Sequence, residues 1–160
     1  MIYLITGKVI IVMKISTKGR YALRMLVDLT INSGNGFISL KDIAERQNIS
    51  KKYLEQIVPL FNGSGILVAN RGFQGGYKLA KGAELTTVAE ILKITEGSIV
   101  PVSCLEGRVN QCDRCDECET LYVWEGLSKV ISTYLEGITL KDIADKQRRA
   151  ARQNDNIVLL

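Results

Sequence analysis

The sequence predicts a mainly α-helical chain carrying one small β-hairpin, with a long helix toward its C-terminal end. Three observations point there. Two short helical patterns flank Gln47-Asn48-Ile49. They lead into a strand-like run, Ile66-Leu67-Val68-Ala69, a Gly-rich turn, Arg71-Gly72-Phe73-Gln74-Gly75-Gly76, and a second short strand, Tyr77-Lys78-Leu79. Further on, apolar residues from Leu121 to Leu135 recur at helical, heptad-like spacing. Helix, turn, helix and hairpin in that order make a winged helix-turn-helix, whose second helix is built to enter a DNA major groove.

Composition bounds what the chain can be. Its 160 residues suffice for one ordinary domain, or a small domain with an oligomerisation element. Hydrophobic content of 46% and charged content of 24% describe a soluble globular protein. The net charge of +4 is unevenly placed: residues 1–90 hold 12 Lys/Arg against 6 Asp/Glu, and residues 91–160 hold 9 against 11. The basic half, at +6, contains the helix-turn-helix, as a surface meeting polyphosphate requires. There is no histidine, which removes the commonest general base and metal nitrogen ligand. No nucleophile elbow, phosphate loop or dinucleotide motif occurs either, so the chain is not expected to be an enzyme.

Residues 1–12 are apolar apart from Thr6 and Lys8. They are too few to span a bilayer, which takes about 20 residues, and no small-residue cleavage site follows. This extension reads as an upstream start or an extra strand-like segment, and the protein as cytoplasmic with no membrane partner. From Thr17 to Ser33, Ala22, Leu23, Leu26 and Leu29 or Thr30 form one helical stripe, with Arg20 and Arg24 on the polar side. Lys14 and Lys18 lie at a basic end suited to a groove edge. Ser39-Leu40-Lys41-Asp42 is a helix start signal, and Leu40, Ile43 and Ala44 share one face.

Ser50 is the natural N-cap of the second helix, with Leu54, Ile57, Val58 and Phe61 on its inner face. Pro59 lacks an N–H and predicts a kink or irregular turn. Ser50, Lys51, Lys52 and Tyr53 stand where phosphates are held. Gln56 suits a bidentate pair with adenine, and Glu55 can accept from cytosine N4, each worth about 1–3 kcal/mol of discrimination. In the wing, Arg71 and Gly72 suit close approach to a minor groove. A further helix is expected over Glu84 to Glu96, with a Thr87-x-x-Glu90 box and Val88, Ile91 and Leu92 on one side.

All four cysteines, Cys104, Cys112, Cys115 and Cys118, fall within fifteen residues. Disulfides suit an even number but not a reducing cytoplasm. Zinc is possible, although its four-cysteine sites usually show two separated Cys-x-x-Cys pairs. Cys-x-x-Cys-x-x-Cys with a more distant fourth thiolate resembles iron–sulfur spacing.

Met13-Lys14-Ile15-Ser16-Thr17-Lys18-Gly19-Arg20-Tyr21-Ala22, Tyr53-Leu54-Glu55-Gln56 and Arg71-Gly72-x-x-Gly75-Gly76-Tyr77 resemble the IscR/NsrR/CymR family of bacterial transcription regulators, over roughly Met13 to Ala144. The resemblance implies a homodimeric DNA-binding regulator, a repressor, on a pseudo-palindromic operator. Cluster-binding members carry three cysteines in this loop, at the positions of Cys104, Cys112 and Cys118. The histidine that some members place three residues after the last cysteine is Leu121 here, and the N-terminal acid of nitric-oxide-sensing members is Arg20. Cys115 is then the extra thiolate for a [2Fe-2S] or [4Fe-4S] cluster, a redox sensor. The resemblance also implies that the long helix pairs with its twin through Leu121, Trp124, Leu127, Ile131, Tyr134 and Leu135. The organisation expected is an extension (1–12), the winged domain (13–97), a cysteine-rich loop (98–120), a dimerisation helix with a short C-terminal helix (121–145) and a polar tail (146–160). Two alternatives stand beside it: a cluster-free regulator of the same fold controlled by a partner protein or thiol state, and an iron–sulfur electron carrier.

Overall fold

The computed structural model describes residues 4–5, 8–9 and 14–158, excepting 33, 35, 73, 74, 108 and 111; side chains are described from 14 to 153. Strands β1 (Leu4–Ile5) and β2 (Lys8–Val9) pair antiparallel; the rest of the N-terminal extension lies outside the described residues. The body comprises helices α1 (Thr17–Asn32), α2 (Leu40–Gln47) and α3 (Lys51–Ile57), then the hairpin β3 (Leu67–Asn70) and β4 (Gly76–Leu79). Helices α4 (Val88–Glu96), α5 (Leu121–Glu136) and α6 (Leu140–Val158) complete it.

The sequence signals act where they stand. The Ser39 hydroxyl accepts from the Asp42 N–H at 3.2 Å and the Ser50 hydroxyl from the Tyr53 N–H at 3.2 Å, capping α2 and α3. Between them Asn48 takes the left-handed conformation (φ 49°) that asparagine tolerates, ending α2 and reversing the chain in two residues. At Pro59 the α-helix gives way to a 3-10 turn, Val58–Phe61. Met25, Leu26 and Leu29 of α1 meet Ile43, Leu54, Ile57 and Phe61 in the main core, all essentially fully buried. Each such side chain contributes roughly 1.5–3 kcal/mol by leaving water.

The hairpin docks on this core through one close approach. Ile38 and Tyr77 exchange backbone hydrogen bonds at 3.0 and 2.8 Å. A Cβ on Gly76 would stand 2.5 Å from the Ile38 carbonyl oxygen, so glycine is required there.

Two expectations need correction. The helix expected from Glu84 begins at Val88 instead, because Thr86 and Thr87 are drawn into a bridge with the segment before α6. The Val88 N–H donates to the Ile138 carbonyl and the Leu140 N–H to the Thr86 carbonyl, both at 2.9 Å. Thr87 still caps α4 by accepting from the Glu90 N–H, but the Glu90 carboxylate is held by Lys81 at 2.8 Å and does not complete the box. The second correction concerns the expected tail. Helix α6 continues to Val158, since Lys146-Gln147-Arg148-Arg149-Ala150-Ala151-Arg152-Gln153 contains only good helix formers and no glycine, proline or β-branched residue. Its start is a complete capping box: the Thr139 N–H donates to Asp142 at 2.9 Å and the Asp142 N–H to the Thr139 hydroxyl at 3.1 Å. The Thr139 hydroxyl and N–H hold the Asp142 carboxyl below its ordinary value.

Leu140 and Ala144 of α6 are buried, Leu140 within the main core. A second apolar cluster, Val88, Leu92 and Ile99, receives Leu135 of α5 and Ile138 and Ile143 behind it. The winged domain and the C-terminal helices therefore share their packing. Among the described residues no helix is long and apolar enough to cross a membrane.

Candidate functional site

Helix α3 turns Leu54 and Ile57 inward and leaves Lys51, Lys52, Glu55 and Gln56 exposed, with Ser50 exposed at its start. Tyr53 is half-buried, and its ring meets that of Tyr21 edge-on with centroids 5.3 Å apart. Lys51 pairs with Glu55 one turn on at 3.3 Å, an exposed contact worth only a few tenths of a kcal/mol. Glu55 can thus leave Lys51 at small cost. In the wing, Arg71 and Gly72 are exposed, and Gly72 has φ +122°, a conformation that side chains rarely adopt; Phe73 and Gln74 lie outside the described residues. Lys14 is exposed and Lys18 half-buried before and within the first turn of α1.

A buried ion pair that the sequence pattern does not announce ties α1 to α2. Asp28 of α1 is an acidic side chain only 1% exposed. Arg46 of α2 grips it with Nη2 at 2.6 Å and Nε at 3.0 Å, and the Gln47 side-chain amide adds a third bond at 3.0 Å. Donating to the Asp28 carboxylate raises the Arg46 pKa above its ordinary value. Arg24, one turn before Asp28, donates to the Gln47 side-chain and backbone oxygens and lies over the Tyr21 ring. The signal available was an acid and a base placed where an apolar stripe should continue, but only the packing of α1 on α2 brings them together.

The cysteine loop follows Ile99. Cys104 lies in a 3-10 turn (Ser103–Leu105) and Cys115 in another (Cys115–Glu117). Each Cys-x-x-Cys unit is a backbone turn: the Cys115 N–H donates to the Cys112 carbonyl at 3.0 Å and the Cys118 N–H to the Cys115 carbonyl at 3.4 Å. All four thiols are free and half-buried. The Thr120 hydroxyl, foremost, lowers the Cys118 thiol toward the thiolate, whereas partial burial and then the Asp116 carboxylate raise Cys115. Among the described residues no three Cys, Asp or Glu side chains stand close enough together to hold a metal ion. The expected set therefore shares one loop without converging. As a donor set, four free thiols without competing disulfides fit a soft metal or iron–sulfur group.

Helix α5 carries two apolar faces where one was expected. Leu121, Trp124, Ile131 and Leu135 are half-buried, and Trp124 donates to the Thr120 hydroxyl at 3.2 Å. Leu127 and Tyr134 belong to an exposed face with Val123 and Val130, two residues outside the heptad-like stripe; Tyr122 is exposed as well.

Fold, exposed helix and wing define a winged helix-turn-helix transcriptional regulator, and comparison with known proteins narrows the class. A family model described as Rrf2, iron-dependent transcriptional regulator, matches residues 15–146, and the chain belongs to that family. It is 35% identical over 147 residues to the HTH-type transcriptional regulator IscR of Erwinia tasmaniensis, covering 90% of this chain and 88% of the relative. Among solved structures it is similar to CymR, the global cysteine regulator of B. subtilis, at 33% identity and TM-score 0.68, covering 83% of this chain and 97% of that one. T. potens IscR matches at 36% identity and TM-score 0.67, covering 86% and 90%. The chain is a transcriptional regulator of the Rrf2/IscR type.

Proposed function

We propose that the protein is a homodimeric repressor that reads an operator with α3 and the wing, under the control of an iron–sulfur cluster in the cysteine loop. The observation that carries the DNA-reading part is the pairing of an exposed polar α3 face with a basic, glycine-bearing wing on one rigid core. Lys51, Lys52 and Tyr53 hold phosphate, Gln56 and Glu55 reach base edges, and Arg71 with Gly72 approaches the minor groove. Lys14 and Lys18 add phosphate contacts at the groove edge. The exposed α5 face is the surface for the second copy.

Cys104, Cys112 and Cys118, with Cys115 as the extra thiolate, would hold the cluster, in [2Fe-2S] or [4Fe-4S] form. When bound, it supplies a redox-sensitive centre. The loop lies between α4, whose Leu92 packs against Leu135, and α5, so ordering these residues bears on the relative placement of two recognition helices in the dimer. A second reading has its own observation. The likeness to CymR, a global cysteine regulator, supports a cluster-free regulator of the same fold, controlled by a partner or by thiol state.

The DNA-reading part is tested with a duplex enriched from a randomised pool by the wild-type protein. Lys51→Ala is expected to weaken all sequences and lower the salt slope by about 0.9, while Gln56→Ala relaxes sequence preference with the slope kept. An unchanged slope for Lys51→Ala would remove that lysine from the phosphate set.

A further inference from the structure

We infer that Arg24 is a positioning residue for operator recognition, acting through Gln47 and Tyr21 on the setting of α3. The inference rests on α3 being the DNA-reading helix. Arg24 lies on α1, and its hydrogen bonds go to Gln47, the residue at which α2 enters the turn that launches α3. Its Nε donates to the Gln47 side-chain oxygen at 3.2 Å and its Nη2 to the Gln47 backbone carbonyl, at the last residue of α2. The Arg24 Cζ lies over the Tyr21 ring, 5.5 Å from its centroid, and the Tyr21 ring in turn meets that of Tyr53, in the first turn of α3, edge-on. Gln47 is itself anchored at its amide nitrogen by the buried Asp28 carboxylate.

These contacts form one continuous path: Asp28 fixes Gln47, Arg24 clamps Gln47 and Tyr21 together, and Tyr21 abuts Tyr53. Its end at Asp28 is buried and its end at Arg24 is exposed. Arginine suits the position because it donates in a planar fork while stacking on an aromatic face, which lysine does with neither geometry. An exposed arginine beside a DNA-reading helix invites a simpler role as a phosphate contact. Two of its donors are already spent on Gln47, and the path to Tyr53 gives it a different one: the tilt of the side chains that meet base edges.

The experiment compares wild type, Arg24→Lys, Gln47→Ala and the double variant on the wild-type-enriched duplex and on a scrambled duplex of equal length, across a salt series. Thermal unfolding is followed in parallel, and Lys51→Ala serves as the phosphate reference. Positioning predicts that each single variant lowers the enriched-to-scrambled affinity ratio about tenfold, the scale of one or two lost interactions, with the salt slope kept. It also predicts that the double variant is no worse than either single one, because both break the same path. A uniform loss on both duplexes with the slope reduced, as for Lys51→Ala, would make Arg24 a phosphate contact and overturn the inference. An unchanged ratio would overturn it as well, and so would a ratio that falls only in step with lost folded protein. Failure of the wild type to enrich any sequence would instead sink the DNA-reading assignment of α3, and this inference with it.

Discussion

Arg46→Ala is expected to lower the unfolding free energy by about 3 kcal/mol, at the lower end of the usual cost of breaking a buried ion pair. Asp28 is 1% exposed and Arg46 38%, so the two partners are not equivalent. Removing the arginine strands a carboxylate inside the core with only the Gln47 amide to meet it. Removing the carboxylate by Asp28→Ala leaves a guanidinium that can turn into water, and about 1–2 kcal/mol is expected. Against a total stability of about 5–15 kcal/mol, the first loss is large. Urea unfolding of the two variants checks both the size and the order. A greater loss from Asp28→Ala than from Arg46→Ala would contradict the account of which charge is trapped.

The second large effect concerns α5. Val130 is 65% exposed and Tyr134 67%, on one side of the helix with Val123 and Leu127, and none of them belongs to the chain's own core. If this face joins two copies, Val130→Glu places a charge at the centre of a self-complementary contact, twice over. The expected result is a monomer by light scattering. Operator affinity should fall by about a hundredfold or more, because linked half-sites no longer bind as one. The thermal midpoint of the monomer's own fold should barely move, since the side chain is exposed. A Val130→Glu protein that stays dimeric with full operator affinity would assign the dimer contact elsewhere.

Much of this was legible in the chain because the signals were local. Ser39 and Ser50 cap the helices they precede, Pro59 turns α3 into a 3-10 segment, and the spacing of Leu54, Ile57 and Phe61 names the inner face. Two of the differences share one cause, which is pairing between distant segments. Thr86 and Thr87 leave the helical pattern because Ile138 and Leu140 bond to their neighbourhood. Asp28 looked like one more polar helix residue until Arg46, 18 positions on, closed over it. On α5 a single heptad-like stripe could not distinguish the residues turned to Leu92 and Ile99 from those turned outward. At α6 the polar, basic run from Lys146 suggests a tail, yet its residues are good helix formers and the helix continues through them. The spacing of the cysteines puts all four in one loop, and because that loop is built of turns rather than a fixed ladder, the side chains do not converge there among the described residues.

The control of operator binding by a cluster is tested most directly on one anaerobically purified sample, divided and assayed with and without iron removal by a chelator. Iron and acid-labile sulfide are counted, and affinity for the enriched duplex is measured on both halves. The account predicts stoichiometric iron and sulfide and operator affinities that differ at least about tenfold between the halves. It also predicts that Cys112→Ala behaves like the stripped protein. A protein that takes up no iron or sulfide on anaerobic reconstitution, or that binds the duplex equally well in both states, would contradict cluster control.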